Sequence, residues 1–69
     1  GITITGVIED AQSQNIAIIK IGEKTHYAKS GKQISIIFEN QEYEFLVHKV
    51  TQSAILVQDS QEEFATWIR

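Results

Sequence analysis

Two imidazoles, His26 and His48, and the acidic turn Asp59-Ser60-Gln61-Glu62-Glu63 carry the side chains best suited to chemistry in this chain. Imidazole can ligate a metal or act as a base near neutral pH, and grouped carboxylates can hold a hard cation such as calcium. The spacing supports neither use. No cysteine and no His-x-His pair gives either histidine a zinc partner, and the twelve-residue calcium-loop pattern is missing. Both histidines have a charged or polar neighbour in strand-like runs, so they read as solvent-facing strand residues and the acids as a hairpin tip. Ser13, Ser30, Ser35, Ser53 and Ser60 include no GxSxG nucleophile, and Gly31 belongs to no phosphate-binding glycine loop. The expectation is no enzyme, no catalytic residue, no metal and no cofactor, with a hydrolytic or regulatory use of His48 kept as a remote alternative.

Tyr43 and Trp67 could form a stacking platform for bases, as on OB folds. Such a platform needs a basic groove, and the six cations Lys20, Lys24, Lys29, Lys32, Lys49 and Arg69 are scattered in a chain of net charge −3. Nucleic acid is therefore not an expected partner, and the two aromatics read as core or interface residues.

The elements that must position these residues are strands. Isoleucine far outnumbers leucine, and Val, Thr, Phe, Tyr and Trp supply most of the remaining bulk, all residues that suit a pleated, half-buried surface. Period-two alternation puts Ile2, Ile4 and Ile8 on one face, and Tyr43, Phe45 and Val47 on another with Glu44 and His48 opposite. Strands are expected over 2–8, 15–21, 24–28, 34–38, 42–50, 53–58 and 63–68. The connections are a polar loop from Asp10 to Asn15, tight turns at Gly22-Glu23, Ser30-Gly31-Lys32 and Thr51-Gln52, and the acidic turn Asp59–Glu62. Over 63–68 the acidic start also permits a two-turn helix, but a strand with Phe64, Thr66 and Ile68 on one face completes the preceding hairpin. The fold class is all-β, a small antiparallel barrel of six or seven strands or a two-sheet sandwich.

A chain of 69 residues holds one domain and buries only about 60% of its unfolded surface, leaving little room for an enclosed active site. No apolar run approaches the roughly 20 residues of a membrane-spanning helix, and no signal peptide is visible. What remains is strand edge: an open β domain presents unpaired N–H and C=O groups that a partner's strand can extend. The best candidate is Ile2–Ile8, a terminal strand without lysine that carries Gly6 where a backbone could come close.

In order along the chain, Thr5-Gly6-Val7, the loop Glu9–Gln14, Ile16-Ala17-Ile18-Ile19, Tyr27 before Gly31 and Ile34, the run Val47–Val57 and the strand Glu63–Ile68 form a recognisable series. It resembles the periplasmic homology region of general secretion pathway protein C of the type II secretion system, a relative of the type IV pilus assembly protein PilP. Two departures stand out, a longer turn after Tyr27 and a longer, more apolar stretch over Ile36–Glu42. The resemblance implies a six-stranded, non-enzymatic module occupying residues 1–69 of a longer protein, anchored in the inner membrane upstream of Gly1 and reaching into the periplasm of a Gram-negative bacterium. Its implied partners are the N-terminal periplasmic domain of the outer-membrane secretin and other inner-membrane secretion components. Partner contacts are implied at Ile4, Thr5, Gly6 and Val7, extended by the loop Asp10–Asn15. The alternatives are a PilP-like domain binding the pilus secretin, a generic SH3-like or OB-like binding barrel, and a self-associating structural domain.

Overall fold

The computed structural model describes residues 1–69, the side chain of Phe38 excepted. Seven strands follow one another: β1 (Ile2–Glu9), β2 (Asn15–Ile21), β3 (Lys24–Lys29), β4 (Gln33–Phe38), β5 (Gln41–Val50), β6 (Ile55–Asp59) and β7 (Thr66–Ile68). They make two antiparallel meanders, a three-stranded sheet β1-β2-β3 and a four-stranded sheet β4-β5-β6-β7. The architecture is the two-sheet sandwich, with one strand more than the six that the resemblance implied. No helix is present, so none is long and apolar enough to cross a membrane.

The core lies where the inner faces meet. Ala17, Ile19 and Ala28 come from the first sheet, and Ile34, Val47, Ile55 and Val57 from the second. Around them pack Ile2, Ile4, Val7, Ile21, Ile36, Val50 and Ile68. β-Branched side chains at alternate positions fill the thin space without rotamer freedom to lose, which is why isoleucine dominates the composition. The surface of 5039 Å² exceeds the roughly 4,400 Å² expected of a compact protein of this mass. The sandwich is accordingly open at its sides.

Turn chemistry sets the registers. Gly22, at φ 61°, opens a two-residue turn between the paired Ile21 and Lys24, the arrangement in which glycine at the first central position suits the strand twist. The corner between the sheets is a turn closed by the Lys32 N–H on the Lys29 carbonyl at 3.0 Å, with Gly31 at φ 83° in its third position. That geometry favours glycine because it has no Cβ to clash. The stretch Ile36–Glu42 is a hairpin: Phe38 pairs with Gln41, and Glu39 and Asn40 take φ 51° and 63°. Both central residues are left-handed, which Asn tolerates and Glu does not favour. The double substitution Glu39→Asn with Asn40→Gly should stabilise the domain by about 1 kcal/mol, raising Tm by roughly 4–8 °C in thermal unfolding. An unchanged or lowered Tm would mean that the turn is not of this kind.

Two bulges alter the faces expected from alternation. In β1 the register slips between Ile4, opposite Ile19, and Gly6, opposite Ile18, so that Thr5 is the extra residue. Its hydroxyl donates to the Ile18 carbonyl at 3.1 Å. One inserted residue reverses the parity beyond it: Val7, not Ile8, joins Ile2 and Ile4 inside, and Ile8 is 48% exposed on the outer face. In β5 the slip between Val47 and Lys49 makes His48 the extra residue.

The last two connections also differ from expectation. Thr51 and Ala54 close a four-residue turn between Val50 and Ile55, the Thr51 hydroxyl accepting from the amides of Ser53 and Ala54. β6 therefore begins at Ile55 rather than at residue 53. Over 63–68 only Thr66–Ile68 is strand, because the carbonyls of Glu62 and Glu63 are occupied by the Gln58 side chain at 3.0 and 3.2 Å. Phe64 consequently stands outside the ladder and is 76% exposed.

Candidate functional site

Backbone polarity along β1 follows from the hairpin beside it. In a two-residue hairpin the flanking pair, here Ile21 and Lys24, exchanges both ladder bonds, so Ile21, Ile19 and Ala17 direct their N–H and C=O toward β3. The alternate residues Lys20, Ile18 and Ile16 then face β1, and they pair with Thr3, Gly6 and Ile8. The Thr5 hydroxyl on the Ile18 carbonyl agrees with that direction. Ile2, Ile4, Val7 and Glu9 are left with their backbone groups pointing off the sheet, and β1 is an edge strand. Of the four expected contact residues, Ile4 and Val7 offer main-chain bonds, while Thr5 and Gly6 do something else.

Thr5 divides the edge. A bulge twists an edge strand away from flat pairing, a protection against indiscriminate addition, and here it separates the free groups of Ile2 and Ile4 from those of Val7 and Glu9. Gly6 opens the outer face instead of the edge. A Cβ built on it would meet only Ile18 Cδ1, at 3.9 Å, and its φ lies outside the left-handed region. No fold requirement thus holds glycine there. Around it the outer face carries Ile8, Ile16, Ile18 and Tyr27, half-buried or exposed.

The loop after β1 is built on Asp10. Its Oδ1 accepts from the amides of Gln12 and Gln14, both at 2.9 Å, and its Oδ2, shielded from solvent, has Lys29 Nζ at 3.0 Å. The Gln14 amide above all, then the Lys29 ammonium, hold this carboxyl below its ordinary value of 3.8 against the opposing effect of burial. A depressed carboxylate pKa contributes stability that is fully present above the ordinary value and is lost as pH falls through the lowered one. The 10–15 loop should therefore stay closed down to about pH 4 and open below it. Amide exchange at Gln12 and Gln14 checks this: Asp10→Asn should make exchange faster at neutral pH and flatten its acid dependence, and an unaltered profile would sink the assignment.

Neither histidine is solvent-facing in the expected way; both are partly buried. His26 lies on the inner face beside the core. His48, at the β5 bulge, has Nε2 at 2.9 Å from Gln58 Oε1. Since Gln58 Nε2 is spent on the carbonyls of Glu62 and Glu63, its oxygen must face the ring, and His48 Nε2 is the donor. Its backbone carbonyl accepts from the Ser30 hydroxyl at 2.7 Å. His48 thus ties the sheet corner to the connection before β7. Among the described residues no three His, Asp or Glu side chains come together as metal ligands. Tyr43 and Trp67 form no shared platform, because Tyr43 has the parity of the buried Val47 while Trp67, opposite Leu56, lies on the outer face.

Comparison of the chain with family models, with curated proteins and with solved structures finds no match.

Proposed function

We propose that this domain is a non-enzymatic docking module that recruits a partner through the β1 edge. The observation that carries the reading is the sheet-terminal position of β1, whose register with β2 directs the backbone groups of Ile2, Ile4, Val7 and Glu9 off the sheet. A partner strand laid along it gains main-chain hydrogen bonds, and side chains on the outer side of that strand find the open space over Gly6 between Ile8 and Ile18. The resemblance of the chain's motif order to the homology region of general secretion pathway protein C names the partner to test, the N-terminal domain of an outer-membrane secretin. The domain would then be the periplasmic part of an inner-membrane protein, linking the inner-membrane platform to the secretion channel. A PilP-like role at a pilus secretin uses the same edge.

A domain of this size offers about 400–800 Å² to a partner, a transient contact by area. Affinity would be raised by the many copies in a ring-shaped assembly. The test is titration of the isotope-labelled domain with secretin N-terminal domains, following amide resonances. Shifts confined to residues 2–9 and the 10–15 loop are expected, and an unmoved spectrum at high micromolar concentration would overturn the reading. Gly6→Val sharpens it. The space over Ile18 accepts a side chain and a strand prefers valine, so stability should hold or rise by about 0.5–1 kcal/mol while binding weakens.

A further inference from the structure

A second opening lies at the edge of the first sheet opposite to β1. β3 and β4 are the facing edges of the two sheets, joined at the Ser30–Gly31 corner and ending at separate hairpin tips. Between them is a cleft of about 170 Å³ lined by Ile21, Lys24 and His26 from one side and Ser35, Ile36 and Ile37 from the other. We propose that this cleft binds an extended peptide segment of a partner protein in which apolar and acidic residues alternate.

Three observations converge on that ligand. The hairpin rule gives the backbone direction: Lys24, His26 and Ala28 bond toward β2, so Thr25 and Tyr27 turn their N–H and C=O outward. The Lys29 carbonyl, of the same parity, is found outside the β2 ladder, accepting from Lys32. On β4 the pair Phe38 and Gln41 flanks the turn, so Ile36 and Ile34 bond to β5 while Ser35 and Ile37 face outward. The β4 wall of the cleft therefore carries outward main-chain groups at Ser35 and Ile37, and the β3 edge beside the cleft carries those of Thr25 and Tyr27, which an extended chain satisfies and a compact solute does not.

The volume is that of one large apolar side chain, and the wall that would receive it is Ile21, Ile36 and Ile37. Ile37 is 76% exposed, so it has apolar surface to lose on binding. Charge decides the remainder. Lys24 is the one charged side chain among the described residues lining the cleft, with the His26 imidazole and Ser35 hydroxyl as further donors and no carboxylate present. The lining thus holds one cation and no carboxylate, Glu42 and Glu44 lying one strand away opposite Ile37 and Ser35, and Lys24 favours an acidic residue flanking the apolar anchor on its side of the cleft.

The probe is a blocked hexapeptide of alternating isoleucine and glutamate, with an isoleucine and lysine counterpart as control, titrated into the labelled domain. The acidic peptide should shift resonances of residues 24–27 and 35–37 and leave 2–9 unmoved, which separates this result from success or failure at the β1 edge. Lys24→Glu and Ile37→Thr, both on exposed side chains, should each weaken binding about fivefold with the dispersed spectrum retained. No shift at millimolar peptide, equal binding of the lysine peptide, or shifts at β1 instead would overturn the proposal. If one variant lost its fold, the other decides.

Discussion

Truncation of Ile55 to alanine is expected to leave the domain largely unfolded at physiological temperature. Ile55 is completely buried, pairs with Val50 on one side and Ile68 on the other, and faces the first sheet across the core. Removing a buried branched side chain costs about 2–5 kcal/mol, because the lost apolar transfer is joined by the cavity left behind. A domain of this size has only about 3–10 kcal/mol of stability in all. The thin sandwich has no second layer that could collapse into the gap, so the loss should fall in the upper part of its range. Urea unfolding followed by tryptophan fluorescence measures it, Trp67 lying one residue from the strand partner of Ile55. Ile8→Ala is the control: half-exposed on the outer face, it should change stability by less than about 0.5 kcal/mol. Equal losses at Ile8 and Ile55 would mean that β1 lacks the bulge and that Ile8 belongs inside.

The second large effect is on binding. Val7→Pro is expected to weaken recruitment of the proposed partner strand strongly while the domain still folds. The Val7 N–H points off the sheet, so proline removes no ladder bond to β2, and an edge strand is where proline is tolerated. A partner loses a main-chain bond and meets the ring instead, which should lower affinity for a secretin N-terminal domain at least about tenfold. Ile8→Pro sharpens the contrast, because the Ile8 N–H is directed to Ile16 and its removal should cost about 3 kcal/mol of folding stability. Calorimetric binding beside thermal unfolding separates the two. If Val7→Pro unfolds and Ile8→Pro does not, the hydrogen-bonding parity of β1 is inverted and the docking edge is wrongly placed.

The domain's dependence on a few fully buried side chains, Ile19, Ile55 and Val47, follows from its openness. Both proposed binding surfaces are places where the sandwich does not close: the β1 edge, and the seam between β3 and β4. A barrel of the same strands would bury both sets of backbone groups and would gain stability at the expense of recruitment. The protection against aggregation that such edges require comes from the Thr5 bulge at one of them and from Lys24 near the other.

Much of the fold was legible in the residues. The β-branched composition and period-two alternation determine an all-β chain, and six of the seven strands lie within two residues of their expected bounds, since alternation reports the half-buried surface on which each strand forms. Gly22 and Gly31 mark their turns because positive φ has a residue signature. The Glu39-Asn40 turn was hidden by the glutamate, a residue that ordinarily avoids the conformation it takes there.

Tertiary structure alone decided the rest. The bulges at Thr5 and His48 arise from pairing with β2 and β6, carry no residue signature, and reversed the faces of Val7 and Ile8. The early end of the last strand was set by the Gln58 amide, whose targets at Glu62 and Glu63 are neighbours only in the folded hairpin. Residues by themselves also suggested that β1 has an edge to offer; which of its groups are free depends on parity counted from the turn at Gly22 and carried across the β2 pairing, not on any property of Ile4 or Val7 themselves. Local preference selects strands, whereas hydrogen-bond direction and register belong to pairs of strands, and the candidate sites of this protein are made of the latter.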